Sequence, residues 1–330
     1  MPDRRRALLI LCLLALTALA VLAAALAIGS VRLSLADLWL IASGGDSGSN
    51  AVVLRQLRLP RALAGFACGG LLALAGALMQ ILLRNPLADP YVLGVSGGAA
   101  VGALLAMLLG LPLLMLQSGA FAGAFAAMLL VFGLAHGDGS WTQTRLLLTG
   151  VVVASGCGAV VALILSVAPE GSLRGMLFWL MGDLAQAGSP WLALGVLGLG
   201  LLLLLPLTRD LGLLARGGMA AQALGVPVAR LRLLVYVVAA LFTATAVNSA
   251  GSIGFVGLVV PHLVRLALRR SAGNDLRLLL PASALAGGTL LVAADLLART
   301  LIAPQQLPVG VLTALLGVPA FLYLLARQGR

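Results

Sequence analysis

The chain of 330 residues contains no lysine, and all 21 of its basic residues are arginines. A phosphate-binding loop of the G-x-x-x-x-G-K-[ST] type needs a lysine to hold the phosphates of a nucleotide. The sequence therefore excludes such a loop, and any use of ATP would require a partner polypeptide. Charge of either sign is scarce, since only 9% of the residues are charged.

Residues that build metal or catalytic sites are also few. The three cysteines, Cys12, Cys68 and Cys157, lie far apart within apolar runs, as small buried side chains do. Glu170 is the only glutamate, and the chain has two histidines. We therefore predict that this chain holds no metal and performs no covalent catalysis.

Hydrophobic residues make up 62% of the chain, and its mean hydropathy is +1.13. Such a composition is typical of a polytopic membrane protein. The formal net charge of +11 could indicate nucleic-acid binding. However, the arginines are scattered at the ends of apolar runs, where membrane topology explains them, so we predict no nucleic-acid partner.

Ten apolar runs predict ten membrane spans. The first could instead be a signal peptide, but it is too long, since signal-peptide cores have about 7 to 15 residues. The predicted spans are 7–28, 61–83, 91–110, 113–135, 145–168, 190–208, 231–250, 252–268, 278–301 and 308–326. With the N-terminus inside, 15 of the 21 arginines fall in inner segments. This distribution predicts that both termini are cytoplasmic.

Glycine and proline mark packing and breaks within the spans. Glycines recur at every fourth residue, which lets helix backbones approach closely: Gly65 with Gly69, Gly94 with Gly98 and Gly102, and Gly119 with Gly123. Two spans are interrupted in corresponding halves, by Pro86 and Pro90 and by Gly251, Gly254 and Gly257. Paired interruptions are typical of transporters built from inverted repeats.

One acidic residue, Asp295, lies well inside an apolar run. Acids within the membrane are functional candidates. Arg299 follows four residues later on the same helical face, so a local ion pair also explains Asp295. A carrier coupled to protons or sodium would need more buried acids, which favours energy supplied by another polypeptide.

A polar segment from Arg209 to Arg232 interrupts the second half of the chain. Its middle, Met219 to Leu224, can form a short helix preceded by glycines and ended by Gly225 and Pro227. The segment is either an ordinary connector or a docking site for a partner. On the other side of the membrane, residues 173–184 predict a short surface helix. Its Met and aromatic side chains could anchor it at the interface or touch a bulky apolar ligand.

Several motifs in series resemble a known family. In chain order they are Arg58-Leu-Pro-Arg61, G-A-L-M-Q ending at Gln80, Arg84-Asn85-Pro86-Leu87-Ala88-Asp89-Pro90, Leu93-Gly94-Val95-Ser96-Gly97-Gly98-Ala99, Gly254-Phe255-Val256-Gly257-Leu258-Val259-Val260-Pro261-His262, Ala294-Asp295 with Ala298-Arg299, and Leu307-Pro308-Val309-Gly310. Together they resemble the permease subunits of ATP-binding cassette importers for iron chelates, haem and vitamin B12, the FecCD-type or type II importers. The resemblance covers nearly the whole chain.

That resemblance implies a fold, partners and a location. The fold is an all-α polytopic membrane protein of about ten transmembrane helices with inverted-repeat halves, forming one permease domain over residues 1–330 in a bacterial inner membrane. The implied partners are a second copy of the chain, two ATP-binding subunits and a periplasmic substrate-binding protein. The chain itself binds no cofactor, while ATP and Mg²⁺ bind to the partner ATPase.

The resemblance also assigns roles to residues. The segment 209–232 supplies the coupling to the ATPase, through Met219, Ala220, Ala221, Gln222, Ala223, Leu224 and Gly225. Arg58, Arg61 and Arg299 match positions that dock acidic residues of the binding protein. Thr142, Gln143 and Thr144 lie where the family has a cytoplasmic gate. Structural positions in the motifs are Asn85, Pro86, Pro90, Gly94, Gly98, Pro261 and Asp295.

One position departs from the family pattern, and the cargo stays open. Relatives commonly carry Leu-Gly-acid where this chain has Arg216-Gly217-Gly218, so an acidic contact to the ATPase is absent or replaced. The resemblance implies import of an iron chelate, either haem or a ferric siderophore, with cobalamin as the alternative. A self-contained secondary transporter or channel is the competing function, and a membrane scaffold without a pore is a third.

Overall fold

The computed structural model describes residues 4–29, 34, 39–41, 43, 45, 48–135, 143–185, 187–268 and 275–328. The described residues form helices joined by turns, without strands. In chain order the helices are α1 (Arg4–Ala27), α2 (Leu59–Leu82), α3 (Val95–Leu108), α4 (Leu113–Ala135), α5 (Gln143–Val167), α6 (Glu170–Met181), α7 (Trp191–Leu204), α8 (Thr208–Arg216), α9 (Gly218–Ala223), α10 (Val228–Ala250), α11 (Val256–Leu268), α12 (Leu276–Thr300) and α13 (Val309–Gln328). A helical lead-in, Ser49–Val52 and Val53–Arg58, continues directly into α2.

Each of the ten predicted spans corresponds to one of these helices. Within the described part of the chain, six helices are long and apolar enough to cross a membrane: α1, α2 with its lead-in, α4, α5, α10 and α12. The bent pair α7 and α8 qualifies as a seventh span, and α3, α11 and α13 are shorter apolar helices. The protein is therefore an all-helical, multi-pass membrane protein with about ten transmembrane helices.

Three of the predicted spans prove shorter than their apolar runs. Helix α7 ends at Leu204 instead of residue 208, because Pro206 cannot continue it, and the chain turns by 73° into α8. Helix α3 begins after Gly94, whose φ of 72° is left-handed, and α11 begins after Phe255, with φ 69°. A left-handed residue ends the regular helical path, so both helices start later than the run of apolar residues suggests.

Helix α2 forms the centre of the bundle. Every residue from Ala67 to Leu82 is buried, and α2 packs against α7, α10, α11 and α12. Neighbouring helices therefore enclose α2 on every side. Glycines make this packing close: Gly69 lies against the Gly287 backbone of α12, and Gly76 against the Gly257 backbone of α11.

The glycine spacing in α3 and α4 has the predicted packing role. A side chain on Gly98 would overlap the carbonyl oxygen of Gly123, and one on Gly102 would overlap that of Gly119. The two backbones therefore touch along two turns, which only glycine permits. Close helix contact through small residues replaces the hydrophobic driving force that lipid cannot supply.

The bundle has two polar ends, which we name from the arginine distribution. The outer face contains Arg61 and Asp295, where α2 begins and α12 approaches its end. The inner face contains Arg84, just after α2, and Gln143, the first residue of α5. Helix α3 leads to the outer face, whereas α11 leads to the inner face, where Arg265 and Arg84 line one cavity.

The starts of α3 and α11 meet inside the bundle. The Tyr91 hydroxyl, in the 3₁₀ turn Pro90–Leu93 before α3, accepts a hydrogen bond from the Ile253 amide and donates one to the Ile253 carbonyl, both at 2.9 Å. The Ser96 and Ser252 hydroxyls lie 2.9 Å apart. At 14 and 13 residues, α3 and α11 are each about 20 Å long, shorter than the roughly 30 Å hydrocarbon core. Two interrupted helices that run oppositely from one junction are the arrangement expected of inverted halves.

Replacing Tyr91 by phenylalanine should weaken this junction. The Ile253 backbone is irregular and buried, so its amide and carbonyl would lose the partner that the hydroxyl supplies. We expect a loss of about 1–2 kcal/mol, measured as a lower unfolding temperature of the purified chain in detergent. Tyr236→Phe is the matched control, because the Met128 carbonyl that it loses lies within the hydrogen-bonded ladder of α4. Equal shifts for both variants would contradict the proposed role.

Candidate functional site: the two polar faces

A cluster of charged residues surrounds Asp295 at the outer face. Oδ2 of Asp295 lies 3.0 Å from Arg299 Nε, which confirms the ion pair predicted from their spacing. It also accepts from Arg61, with Nη2 at 2.7 Å and Nε at 3.0 Å from the same oxygen. The side chain of Asp295 is only 3% exposed, against 14% for Arg61 and 11% for Arg299. One buried carboxylate therefore holds two guanidinium groups together.

Arg61 extends the cluster beyond Asp295. Its Nη1 donates to the Gln306 side chain at 2.9 Å, and its Nη2 lies 3.9 Å from Asp183. Sequence reasoning missed the pair between Arg61 and Asp295, because 234 residues separate them and no local spacing signals their contact. The motif positions alone pointed to both residues as part of one face.

Arg58 fastens the first helix to the bundle. Its Nη1 donates to the carbonyls of Leu26 and Ala27, at 2.7 and 3.1 Å, and Arg299 Nη2 donates to Ala25 at 3.3 Å. These carbonyls belong to the last turn of α1, which lacks helical partners and favours cations. Arg58 is 6% exposed. The three arginines predicted to dock a binding protein thus lie at one face, and docking stays a prediction.

The inner face presents α9 as an exposed small-residue helix. Met219 is 88% exposed and Leu224 64% exposed, whereas Ala221 is fully buried and anchors the helix. Gly217, with φ 144°, joins α8 to α9, and Gly225, with φ 82°, ends the turn after it. The remaining predicted coupling residues, Ala220, Gln222 and Ala223, are exposed beside them. The prediction of a short helix within 209–232 is confirmed, one residue earlier than expected.

Most of the segment 209–232 is helical rather than loop. Helix α8 includes Arg209 and continues to Arg216, and α10 begins at Val228. Helix α8 is strongly amphipathic, with Leu211 and Leu214 buried and its charged residues outward. Such a helix lies along the inner face, and α9 packs against it.

Two polar residues connect the inner ends of α2 and α5. Gln143 donates to the Leu82 carbonyl at 2.9 Å and accepts from Arg84 Nη2 at 3.1 Å. Thr144 is exposed, and Thr142 lies outside the described residues. Of the predicted gate residues, Gln143 therefore lies at the start of α5 and is hydrogen-bonded to the end of α2.

The segment after α2 folds through its motif residues. Asn85 Oδ1 accepts from the Leu87 amide at 2.9 Å, and Asp89 Oδ1 accepts from the Tyr91 amide at 2.7 Å. Pro90 opens the 3₁₀ turn, a position that needs no amide hydrogen, and Gly94 closes it. Pro86 lines the inner cavity, so these residues shape the path from the inner face to α3.

Pro261 and His262 lie within α11. Both are buried, and Pro261 cannot donate the helical bond to the Gly257 carbonyl. The second histidine, His136, lies outside the described residues. In the part of the chain that the structure describes, no three His, Cys, Asp or Glu residues are grouped to hold a metal ion.

The predicted surface helix at 173–184 is α6, which begins at Glu170. Met176 is fully buried and Trp179 is 9% exposed, so both pack into the bundle. Phe178 is half-buried and Met181 is 38% exposed, so for these two side chains interfacial anchoring or contact with a bulky apolar ligand stays a prediction. The Trp179 carbonyl lies against Gly251, which places the end of α6 beside the junction of the two interrupted helices.

Comparison with known proteins agrees with this architecture. The FecCD transport family matches residues 13–327. The cobalamin import system permease protein BtuC of Halobacterium salinarum is 45% identical over 279 residues, covering 83% of this chain and 73% of that protein. The hemin transport system permease protein HmuU of Yersinia pestis is 42% identical over 316 residues, covering 91% and 90%. The vitamin B12 import system permease protein BtuC of Escherichia coli is 37% identical, covering 97% and 95%.

Solved structures share the fold. A transporter described as a metal-chelate type ABC transporter in an inward-facing conformation superposes with a TM-score of 0.83 at 33% identity, covering 97% of this chain and 99% of that one. With a family match over almost the whole length, and relatives that are permeases at both 42% and 37% identity, the chain belongs to the FecCD transport family and is a permease subunit of an ABC importer.

Proposed function

We propose that two copies of this chain form the membrane passage of an importer driven by two partner ATPase subunits. The proposal rests on α9, whose Met219 side chain is 88% exposed at the inner face. The helix α9 is short, consists mostly of small residues and projects between α8 and α10, so it can fit into a groove on a partner. The contact residues are Met219, Ala220, Gln222, Ala223, Leu224 and Gly225, with Ala221 as the anchor.

The energy in this proposal comes from outside the chain. Without lysine the chain cannot form the usual nucleotide-binding loop, so ATP and Mg²⁺ bind to the partner ATPase. The chain works as one permease domain over residues 1–330 and is not itself an enzyme. Thr142, Gln143 and Thr144 act as the inner gate, where small polar side chains can meet their symmetry mates and separate again at low cost.

The outer face receives a periplasmic binding protein. Arg58, Arg61 and Arg299 face two carboxylates, Asp183 and Asp295, so this face keeps one net positive charge that suits acidic residues of a partner. Arg58 lies beside them and supports α1. Docking would use the guanidinium N–H groups that remain, since each fork carries five donors.

The cargo we propose is an iron chelate, either haem or a ferric siderophore, with cobalamin as the alternative. The relatives are named for hemin or for cobalamin import, and the similarity to each of them covers most of this chain. A passage that bound its cargo tightly would release it slowly, so the binding protein makes the selection. The chain lies in a bacterial inner membrane with both termini cytoplasmic.

Reconstitution in lipid vesicles tests this function. We expect uptake only when the chain, its ATPase, the binding protein and ATP are all supplied. Uptake by the chain alone under an ion gradient would show a secondary transporter, and no uptake from the complete system would favour a scaffold. The absorbance spectrum of the binding protein purified with its cargo distinguishes haem, cobalamin and ferric siderophores.

A further inference from the structure

The inner face contains a cavity of about 260 Å³ beside the docking helix α9. It lies between the end of α2, helix α8, the end of α11 and the start of α12. Its lining residues include Gln80, Arg84, Pro86, Arg216 and Arg265. Three of these are arginines and none is acidic, so the cavity concentrates positive charge.

The three arginines come from three separate elements. Arg84 follows α2, Arg216 ends α8 and Arg265 lies in the last turn of α11. Arg84 donates to Gln143, whereas neither Arg216 nor Arg265 forms an ion pair with any residue that the structure describes. Like charges on one cavity repel each other unless an anion joins them. The arrangement is therefore suited to bind an anionic group.

The position of the cavity indicates where that anion comes from. Arg216 directly precedes Gly217 and α9, and a side chain built on Gly217 would lie 3.8 Å from Arg84 Nη1. A partner seated on α9 would therefore cover the cavity. A volume of 260 Å³ admits one acidic side chain, and guanidinium groups bind a carboxylate through two parallel hydrogen bonds.

We propose that an acidic side chain of the ATPase subunit enters this cavity and pairs with Arg84, Arg216 and Arg265. This inference rests on the proposed ATPase docking at α9. The carboxylate would join the ATPase to α2, α8 and α11 at one point. Movement of the ATPase would then act directly on the central helix and on an interrupted helix, in addition to α9.

The test measures ATPase binding to the chain in nanodiscs of zwitterionic lipid. Arg216→Glu reverses the charge at an exposed position with no described ion-pair partner, so the fold should tolerate it, and Arg216→Gln serves as a milder second variant. We expect Arg216→Glu to raise the dissociation constant about tenfold or more, and to flatten its dependence on salt. Arg277→Glu is the matched control, because it makes the same charge change on the exposed start of α12 outside the cavity, and should stay within about threefold.

A reciprocal exchange identifies the partner group. Each Asp or Glu on the docking surface of the ATPase is changed to Arg, and one such variant should bind the Arg216→Glu chain more tightly than the wild-type ATPase does. Wild-type binding that Arg216→Glu leaves unchanged would overturn the cavity assignment while the proposed function survives. Failure of the wild-type chain to bind the ATPase at all would instead refute the proposed function.

Two further arms test other anions. The chain alone is heated with inorganic phosphate, or in nanodiscs that contain phosphatidylglycerol. Stabilisation that Arg216→Glu removes, combined with unchanged ATPase binding, would assign the cavity to a small anion or a lipid headgroup and overturn the proposal. No such stabilisation is expected if the cavity receives a protein carboxylate.

Discussion

Replacing Asp295 by asparagine should lower the free energy of unfolding by about 3 kcal/mol, since removing one partner of a buried ion pair leaves the other charge uncompensated. Here two charges are affected, because Arg61 and Arg299 both lie within 3.0 Å of the carboxylate and are less than 15% exposed. The measurement is thermal unfolding of the purified chain in detergent or nanodiscs, together with its yield in the membrane.

Two companion variants make this result specific. Asp183→Asn removes a carboxylate that lies 3.9 Å from Arg61 and is 14% exposed, so it should cost less than about 1 kcal/mol. Combining Asp295→Asn with Arg299→Gln removes one uncompensated charge and should restore part of the loss. Normal stability with abolished transport would instead indicate that Asp295 takes part in transport, the alternative that its place in an apolar run first suggested.

The ten helices that correspond to the predicted spans follow from properties that the sequence displays directly. Long apolar runs predict spans, and Pro86 with Pro90, and Gly251, Gly254 and Gly257, indicate that two of these spans are interrupted. The runs still placed the starts of α3 and α11 at residues 91 and 252, a few residues too early. The bend after Leu204 could also have been predicted, because Pro206 stands in the run. We overlooked it, since the apolar composition continues unchanged across the proline.

Contacts between distant segments could not be predicted from local pattern. The i, i+4 spacing indicated the pair of Asp295 and Arg299, but the stronger contact with Arg61 depends on how α2 and α12 cross. The same holds for the inner cavity, whose three arginines lie in three separate parts of the sequence. Local spacing encodes neighbours on one helix, whereas the packing of helices decides which faces meet.

Glycine spacing predicted close packing without indicating the partner. The runs in α3 and α4 pack against each other, as the shared period suggests. Gly69 and Gly76 of α2 instead contact two different helices, through Gly287 and Gly257. Because α2 is enclosed on all sides, its small residues contact several neighbouring helices. The sequence alone does not indicate which residue contacts which helix.

The contact of Gly76 with Gly257 should make Gly76→Ala one of the most damaging small substitutions in the chain. An added methyl group would overlap the Gly257 carbonyl oxygen and lie 2.8 Å from the Gly257 Cα atom. Neither is a flexible side chain, so α11 itself would have to move. A methyl group on Gly257 would in turn lie 2.8 Å from the ring of Pro90, so little space separates α11 from the junction of the interrupted helices and a shift of α11 would reach it.

We expect Gly76→Ala to cost about 1–3 kcal/mol or more in stability, because overpacking against backbone forces the helices apart. Gly198→Ala is the matched control, since a methyl group there meets no atom within 4 Å and alanine is the better helix former. The two variants add the same group to two helices of one bundle, so opposite signs in their unfolding temperatures isolate the contact. Equal shifts would mean that α2 and α11 separate easily at Gly76, and that their close approach is not required for the fold.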